Sequence, residues 1–167
     1  MSKANPYAEL LEGRPAETVM EATPEALRVV LAEIGEANLE TRPAPGKWSP
    51  AEIACHLADC DIAFGFRLRQ ALAENNPTVQ PFDQEKWAAN YLAMSAQQAL
   101  EAFTALRRWN LRLIEAAMPD GANRTMTHPQ RGTLTFRDFV ELIAGHDLNH
   151  LAQLQRIAAG VRAASQG

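Results

Sequence analysis

The sequence predicts an all-α domain, a four-helix bundle with one long crossover connection. Three observations carry this. Four segments repeat apolar residues at i, i+3, i+4 and i+7, the period of a helix with one buried face. Each of the four opens on a residue suited to an N-cap. The stretch 77–94, between the second and third helices, is long enough to let two successive helices run parallel. No strand-length alternating run stands out anywhere.

The chain has 167 residues, 47% of them hydrophobic and 22% charged, with a net charge of −4. That size suits one domain, residues 1–167, able to bury a core without staples. Residues 1–22, broken by Pro6, Gly13 and Pro15, read as an N-terminal extension that packs on the bundle through Tyr7, Leu10 and Leu11. Thr23-Pro24-Glu25 reads as the first helix start, with Thr as N-cap and Pro at the first helical position. Leu27, Val30, Leu31 and Ile34 then carry that helix to about Asn38.

The breaker-rich loop Arg42–Lys47 leads to Trp48 and then to Ser49-Pro50-Ala51-Glu52, a capping box. The second helix it opens places Ile53, His56, Leu57, Cys60 and Phe64 on one stripe and ends near Asn75-Asn76-Pro77. Within the long connection lie Pro81, Phe82, Asp83, Glu85 and Trp87, and part of it suits a short helix. Ser95 and Gln98 form a second capping box, opening a third helix that Pro119-Asp120-Gly121 stops. A loop with a short extended piece covers 122–133. Thr135 and Asp138 then cap the last helix, with Leu134 and Phe139 placed as a hydrophobic staple, and it runs to about Gly160.

The acidic balance argues against a nucleic-acid partner, since phosphate contacts need concentrated Lys and Arg. Arg67, Arg69, Arg107, Arg108 and Arg112 are interspersed with acids and read as solvated helix faces. Cys55 and Cys60 are out of phase on one helix, which disfavours a mutual disulfide. Neither a secretory signal nor an apolar run of membrane-spanning length is visible. The expectation is a cytoplasmic protein that binds neither membrane nor nucleic acid.

The chemistry concentrates in Gly145-His146-Asp147-Leu148-Asn149-His150. Two histidines four apart lie one above the other on a helix face that is otherwise apolar. Such a pair suits either two satisfied core residues or a shared metal ion. Asp147 stands where the zinc-protease signature needs Glu, and no Glu-x-x-His pair lies in the right helices for a ferritin-like site. His56, on the stripe of another capped helix, is the candidate third ligand. Three neutral imidazoles leave a fourth position on a divalent metal open, as catalytic sites do. Cys60, one turn after His56, is either a fourth ligand or a small buried hydrophobe. Asp59 and Asp61 flank it and are placed either to orient a ligand or simply to face solvent. His128, in a Thr-His-Pro loop, reads as a surface histidine, with a place in a pocket lining as the alternative. Trp48, Trp87 and Trp109 read as core anchors, with a pocket wall as the alternative.

The order Arg42-Pro43-Ala44-Pro45-Gly46-Lys47-Trp48-Ser49, Glu52, His56-Leu57-Ala58-Asp59, Phe82-Asp83, Trp87, His128-Pro129 and Gly145–His150 followed by Gln153 resembles the DinB-like superfamily of damage-inducible proteins. The resemblance covers nearly the whole chain. It implies an up-down-down-up four-helix bundle, commonly a homodimer, in which His56, His146 and His150 bind a divalent metal, zinc or nickel. It also implies a small-molecule substrate and an enzyme that activates a low-molecular-weight thiol, as an S-transferase, or a water, as a hydrolase. The alternative is a non-catalytic, stress-responsive metal-binding or scaffold protein. Relatives often carry Glu where this chain has Asp61.

Overall fold

Thr23 and Pro24 do not start the first helix; they lie inside it. In the computed structural model, which describes residues 5–166, helix α1 runs Ala16–Ile34, with Pro15 in the N-cap position. Pro24 has no N–H to give the carbonyl four residues back. That carbonyl, on Met20, accepts instead from Arg107 Nη1 at 3.2 Å. Thr23 is buried, and its hydroxyl donates to the Val19 carbonyl at 2.8 Å rather than capping anything. A proline that reads locally as a helix start is thus accommodated by a donor from another helix.

Helix α1 ends at Gly35, whose φ of +80° suits a residue without Cβ. A 3-10 turn then covers Glu36–Asn38. Helix α2 (Pro50–Ala73) opens on the expected capping box: Glu52 N–H donates to Ser49 Oγ at 3.2 Å, and Ser49 N–H donates to Glu52 Oε2 at 2.7 Å. Arg42 forks onto the same Glu52 carboxylate, which ties the preceding loop to the helix start. The long connection contains the short helix α3 (Gln84–Ala88) and a 3-10 turn at Tyr91–Ala93. Helix α4 (Ala96–Gly121) carries the Ser95–Gln98 box and continues through Pro119, where the sequence suggested a stop.

Two four-residue strands, β1 (Thr125–His128) and β2 (Gly132–Thr135), form an antiparallel hairpin where a loop with a short extended piece was expected. Met126 and Leu134 pair across it and are both buried. Pro77–Val79 hydrogen-bonds to β1 through Thr127. Helix α5 (Phe136–Ala164) follows directly, capped by Thr135 and Asp138, with Leu134 and Phe139 in one hydrophobic cluster as the staple requires.

Contact order along the helices gives their directions. Asp61, Gly65 and Leu72 of α2 meet Arg107, Asn110 and Gly121 of α4 in that sequence, so these two helices run parallel. Met20 and Asp147 share Arg107, and Glu33 pairs with Arg162, so α1 and α5 run parallel as well. His56 meets His146 and His150, while Phe64 meets Phe139, so α2 and α5 are antiparallel. The bundle is therefore up-down-down-up, with the long connection linking the parallel pair α2 and α4. The 3-10 turn Ala8–Leu11 packs on α5. Among the described residues no helix is long and apolar enough to cross a membrane.

Two apolar clusters fill the interior. One includes Met20, Phe64, Leu68, Ile114, Met126 and Phe139. The other includes Leu27, Ile34, Ile53, Leu57, Phe103 and Leu154. At the boundary between them all four long helices contribute buried polar residues: Thr23, Asp61, Arg107 with Asn110, and His146, Asp147 and His150. That layer contains the candidate site.

Candidate metal centre

His56 and Cys60 lie one turn apart on α2, and His146 and His150 one turn apart on the antiparallel α5. Their stripes face each other because both helices bury the apolar residues around them. His146 Nε2 is 3.2 Å from His56 Nε2 and 3.2 Å from His150 Nε2. One nitrogen from each of the three rings lies within 4.8 Å of the others, and all three residues are buried.

Hydrogen-bond accounting makes this arrangement informative. His150 Nδ1 is 3.2 Å from Gln153 Oε1, an acceptor, so the proton belongs on Nδ1 and the Nε2 lone pair points inward. A proton on His146 Nε2 can satisfy only one of its two neighbours. His146 Nδ1, for its part, is buried without a hydrogen-bond partner. Burial, reinforced by His146, pushes the imidazolium pKa of His56 down to about 2 and that of His150 down to about 3. Both rings are neutral at ordinary pH, the form that ligates metals. Three converging imidazole nitrogens, those of His56 and His150 neutral, fit a divalent cation at their centre.

The surrounding side chains fix the rings. The Trp48 ring centre is 4.7 Å from that of His56, and the indole stacks on His150 at 6.5 Å with 14° between planes. Phe64 meets His146 edge-on at 5.6 Å. Behind His146, Asp147 Oδ1 is 3.8 Å from Nδ1, an electrostatic contact too long for a hydrogen bond. Asp147 is held by Arg107, which also forks onto Asp61 with bonds of 2.9 and 3.0 Å. One guanidinium between two buried carboxylates leaves a net negative charge. Burial raises the Asp61 carboxyl to about 6 against the pull of Arg107, while at Asp147 burial also pushes upward but Arg107 outweighs it and brings the carboxyl below its ordinary value.

Cys60 Sγ is 3.4 Å from His56 Nε2 and 3.9 Å from His146 Nε2. Burial and the nearby aspartates push its thiol pKa well up, so it packs as a protonated thiol. Both cysteines are free. Asp59 faces away, accepting from the Tyr91 hydroxyl at 2.9 Å.

Above the histidines opens a cavity of about 500 Å³. Its walls include Trp48, Phe64, Phe82 and Phe139, with Arg67, His128 and Arg131 among the polar lining. A larger groove of about 940 Å³ on the other side of Trp48 reaches His150 but neither of its two partners.

Several placements differ from the sequence expectations. His128 is buried in the cavity wall rather than on the surface, because the hairpin folds it inward. Trp48 is a wall of the centre. Trp87 is half-exposed and stacks on Phe82 at 4.6 Å, and Trp109 is 68% exposed. Asp61, Arg67 and Arg107 are buried rather than solvated. Arg67 did carry a signal: at eleven residues past His56 it falls on the same helical stripe as His56, Cys60 and Phe64. Tyr7 and Arg131 reach the cavity through tertiary folding alone.

The DinB superfamily model matches residues 20–154. The chain belongs to the DinB superfamily. Among curated proteins, this DinB-superfamily chain is 27% identical over 136 residues to a protein of Oceanobacillus iheyensis named "putative metal-dependent hydrolase", covering 81% of this chain and 79% of the other. A Bacillus mycoides protein of the same designation is 24% identical over the same shares. Among solved structures, YfiT from Bacillus subtilis, described as having an unusual four-helix bundle topology, superposes with a TM-score of 0.80 at 20% identity. That match covers 86% of this chain and 84% of YfiT.

Proposed function

We propose that this DinB-superfamily protein is a metal-dependent hydrolase in which His56, His146 and His150 hold one divalent ion, zinc or nickel, at the floor of the cavity. The observation that carries the reading is the convergence of three buried imidazole Nε2 atoms, at least those of His56 and His150 neutral, on one point that opens to a cavity. The names of the Oceanobacillus and Bacillus relatives favour hydrolysis over thiol transfer.

Imidazole donors suit both metals. A divalent ion bound there supplies Lewis acidity and brings a bound water toward neutral pKa. The chain's own residues do the rest. Gln153 fixes the His150 tautomer, and Asp147, held by Arg107, places its carboxylate behind His146. Trp48 and Phe64 hold the rings in place and keep bulk water from their flanks. Among the described residues no Asp or Glu lines the cavity, so none of them offers a carboxylate general base there. His128 accepts from the Gln130 N–H at Nδ1, which leaves its proton on Nε2 and makes it a hydrogen-bond donor among the lining groups.

The test is metal analysis of the purified protein and of His56→Ala, His146→Ala and His150→Ala. One ion per wild-type chain and its loss in each variant is expected. Unchanged metal content in the variants would sink the shared site. Hydrolysis of a panel of esters and amides is then followed with and without added thiol: a metal-dependent, thiol-independent rate supports this reading, and an absolute thiol requirement replaces it with the transferase. Metal retained with no turnover in either assay points to the non-catalytic role.

Homodimerisation belongs to the same proposal. Ile62 and Phe66 on α2 and Trp109 on α4 are exposed at neighbouring levels, since Gly65 faces Asn110 between the two helices. Sedimentation of wild type against Phe66→Ser/Trp109→Ser checks it; a monomeric wild type rejects it.

A further inference from the structure

The cavity over the histidines holds positive charge that no acidic side chain among the described residues answers. Arg67 is only 5% exposed, yet it makes no ion pair among the described residues. Its Nη2 donates to the Gln80 carbonyl at 2.6 Å, and its guanidinium lies 5.4 Å from the Phe82 ring centre. Arg131, in the hairpin turn, lines the same cavity and also lacks an acidic partner among the described residues. Arg28, Arg42, Arg107, Arg112 and Arg162 pair with carboxylates, and Arg69 and Arg124, which do not, donate to carbonyl oxygens from half-buried positions. Among the described residues Arg67 is the buried arginine left without an anion.

Burying a guanidinium without a counter-charge costs several kcal/mol. Arginine does not escape that cost by losing its proton. Burial and the neighbouring Arg131 both push the Arg67 pKa down, the direction expected for a cation short of an anion. Phe64, Phe82, Phe139 and Leu142 give the cavity an apolar stretch of wall, set among the polar side chains His128, Gln130 and Asn149.

We propose that the substrate is an organic carboxylate, its carboxylate seated on Arg67 and Arg131, its apolar body along the phenylalanines and its reacting bond over His56, His146 and His150. The placement of the reacting bond rests on the hydrolase reading; the carboxylate seat rests on Arg67 and Arg131 alone. A planar carboxylate matches the guanidinium fork, and an apolar body matches the walls.

The experiment titrates the metal-loaded, full-length protein with phenylacetate, with neutral phenylacetamide and with inorganic phosphate, by calorimetry. Phenylacetate is expected to bind about tenfold or more tighter than the amide, the size of one charge-assisted hydrogen bond. Arg67→Met is expected to bring the two near parity, and Arg131→Met, on a surface turn, to reduce the preference, with circular dichroism checking the fold of each. Equal binding of acid and amide by the wild type overturns the proposal. So does a preference that survives both substitutions, which would put the carboxylate on the metal. Phosphate binding tighter than phenylacetate, and lost in Arg67→Met, overturns it in favour of a phosphorylated substrate. Failure of the metal reading is read separately, as absence of retained metal, and leaves the arginine-dependent preference standing.

Discussion

Replacing Arg107 by methionine keeps the aliphatic stem that packs inside the bundle and removes the only cation between two buried carboxylates. In the native chain Arg107 is 1% exposed and donates to Asp61, Asp147 and the Met20 carbonyl freed by Pro24. The variant leaves both carboxylates without a partner, for which a loss of about 3–5 kcal/mol is expected at pH 7.5. That is a large share of the ~5–15 kcal/mol that typically stabilises a domain. The pH dependence separates this cause from simple loss of packing. Without Arg107 both carboxyls are raised in the folded state, and Asp61 is already at about 6 with the arginine present. A carboxyl whose folded pKa is raised stabilises only while protonated, so the penalty grows as pH rises from about 4 through the folded pKa. Urea unfolding of wild type and Arg107→Met, compared at pH 7.5 and again at pH 5.0, measures it, since effects common to both proteins cancel at each pH. The destabilisation should be clearly smaller at pH 5.0, and Asp61→Asn in the methionine background should recover part of it at pH 7.5. A loss below about 1 kcal/mol at pH 7.5, or one independent of pH, would refute the account of this layer as a charge-compensated triad.

Two further perturbations test the layer and its cover. In chelator-treated protein, His56 and His150 are neutral when folded but take up protons near pH 6.5 when unfolded. Their depressed pKa values give stability that is intact above about pH 6.5 and lost as pH falls toward 3, amounting to about 4 kcal/mol for the pair at pH 5. Urea midpoints across that range check it, and an unfolding equilibrium that couples to fewer than one proton would count against it. Gly145→Ala would place a Cβ 2.6 Å from Tyr7 Cβ and 2.8 Å from the Tyr7 carbonyl oxygen. The expected result is displacement of the Tyr7–Leu11 segment from α5, about 1–3 kcal/mol of destabilisation and faster hydrogen exchange over residues 7–14. Unchanged exchange there would show that the segment does not depend on this contact.

Much of the bundle was legible locally. Ser49–Glu52, Ser95–Gln98 and Thr135–Asp138 are capping boxes within four residues of sequence, so the starts of α2, α4 and α5 follow from short-range hydrogen bonding. The start of α1 was not legible. Thr23-Pro24 carries the same local signal, but the deciding partner, Arg107, is on another helix, and only that donor makes an internal proline tolerable. The hairpin escaped for a related reason: strands of four residues carry too little alternation to register, and their pairing is non-local.

The candidate site divides along the same line. His146 and His150 are neighbours by helical periodicity alone, and His56 shares an apolar stripe with Cys60, so the sequence by itself determined that these three imidazoles point inward, whereas only the hairpin turned His128 in. Whether the two stripes meet depends on α2 and α5 running antiparallel at the right level, which the crossover topology decided. Charge followed the same rule. Arg107 and Asp61 look like any solvated helix residue in sequence, and Arg67 is marked only by its place on the His56 stripe, because a charged side chain's burial depends on what the rest of the fold places around it. The tertiary structure gave Arg107 two carboxylates and left Arg67 facing the cavity without one.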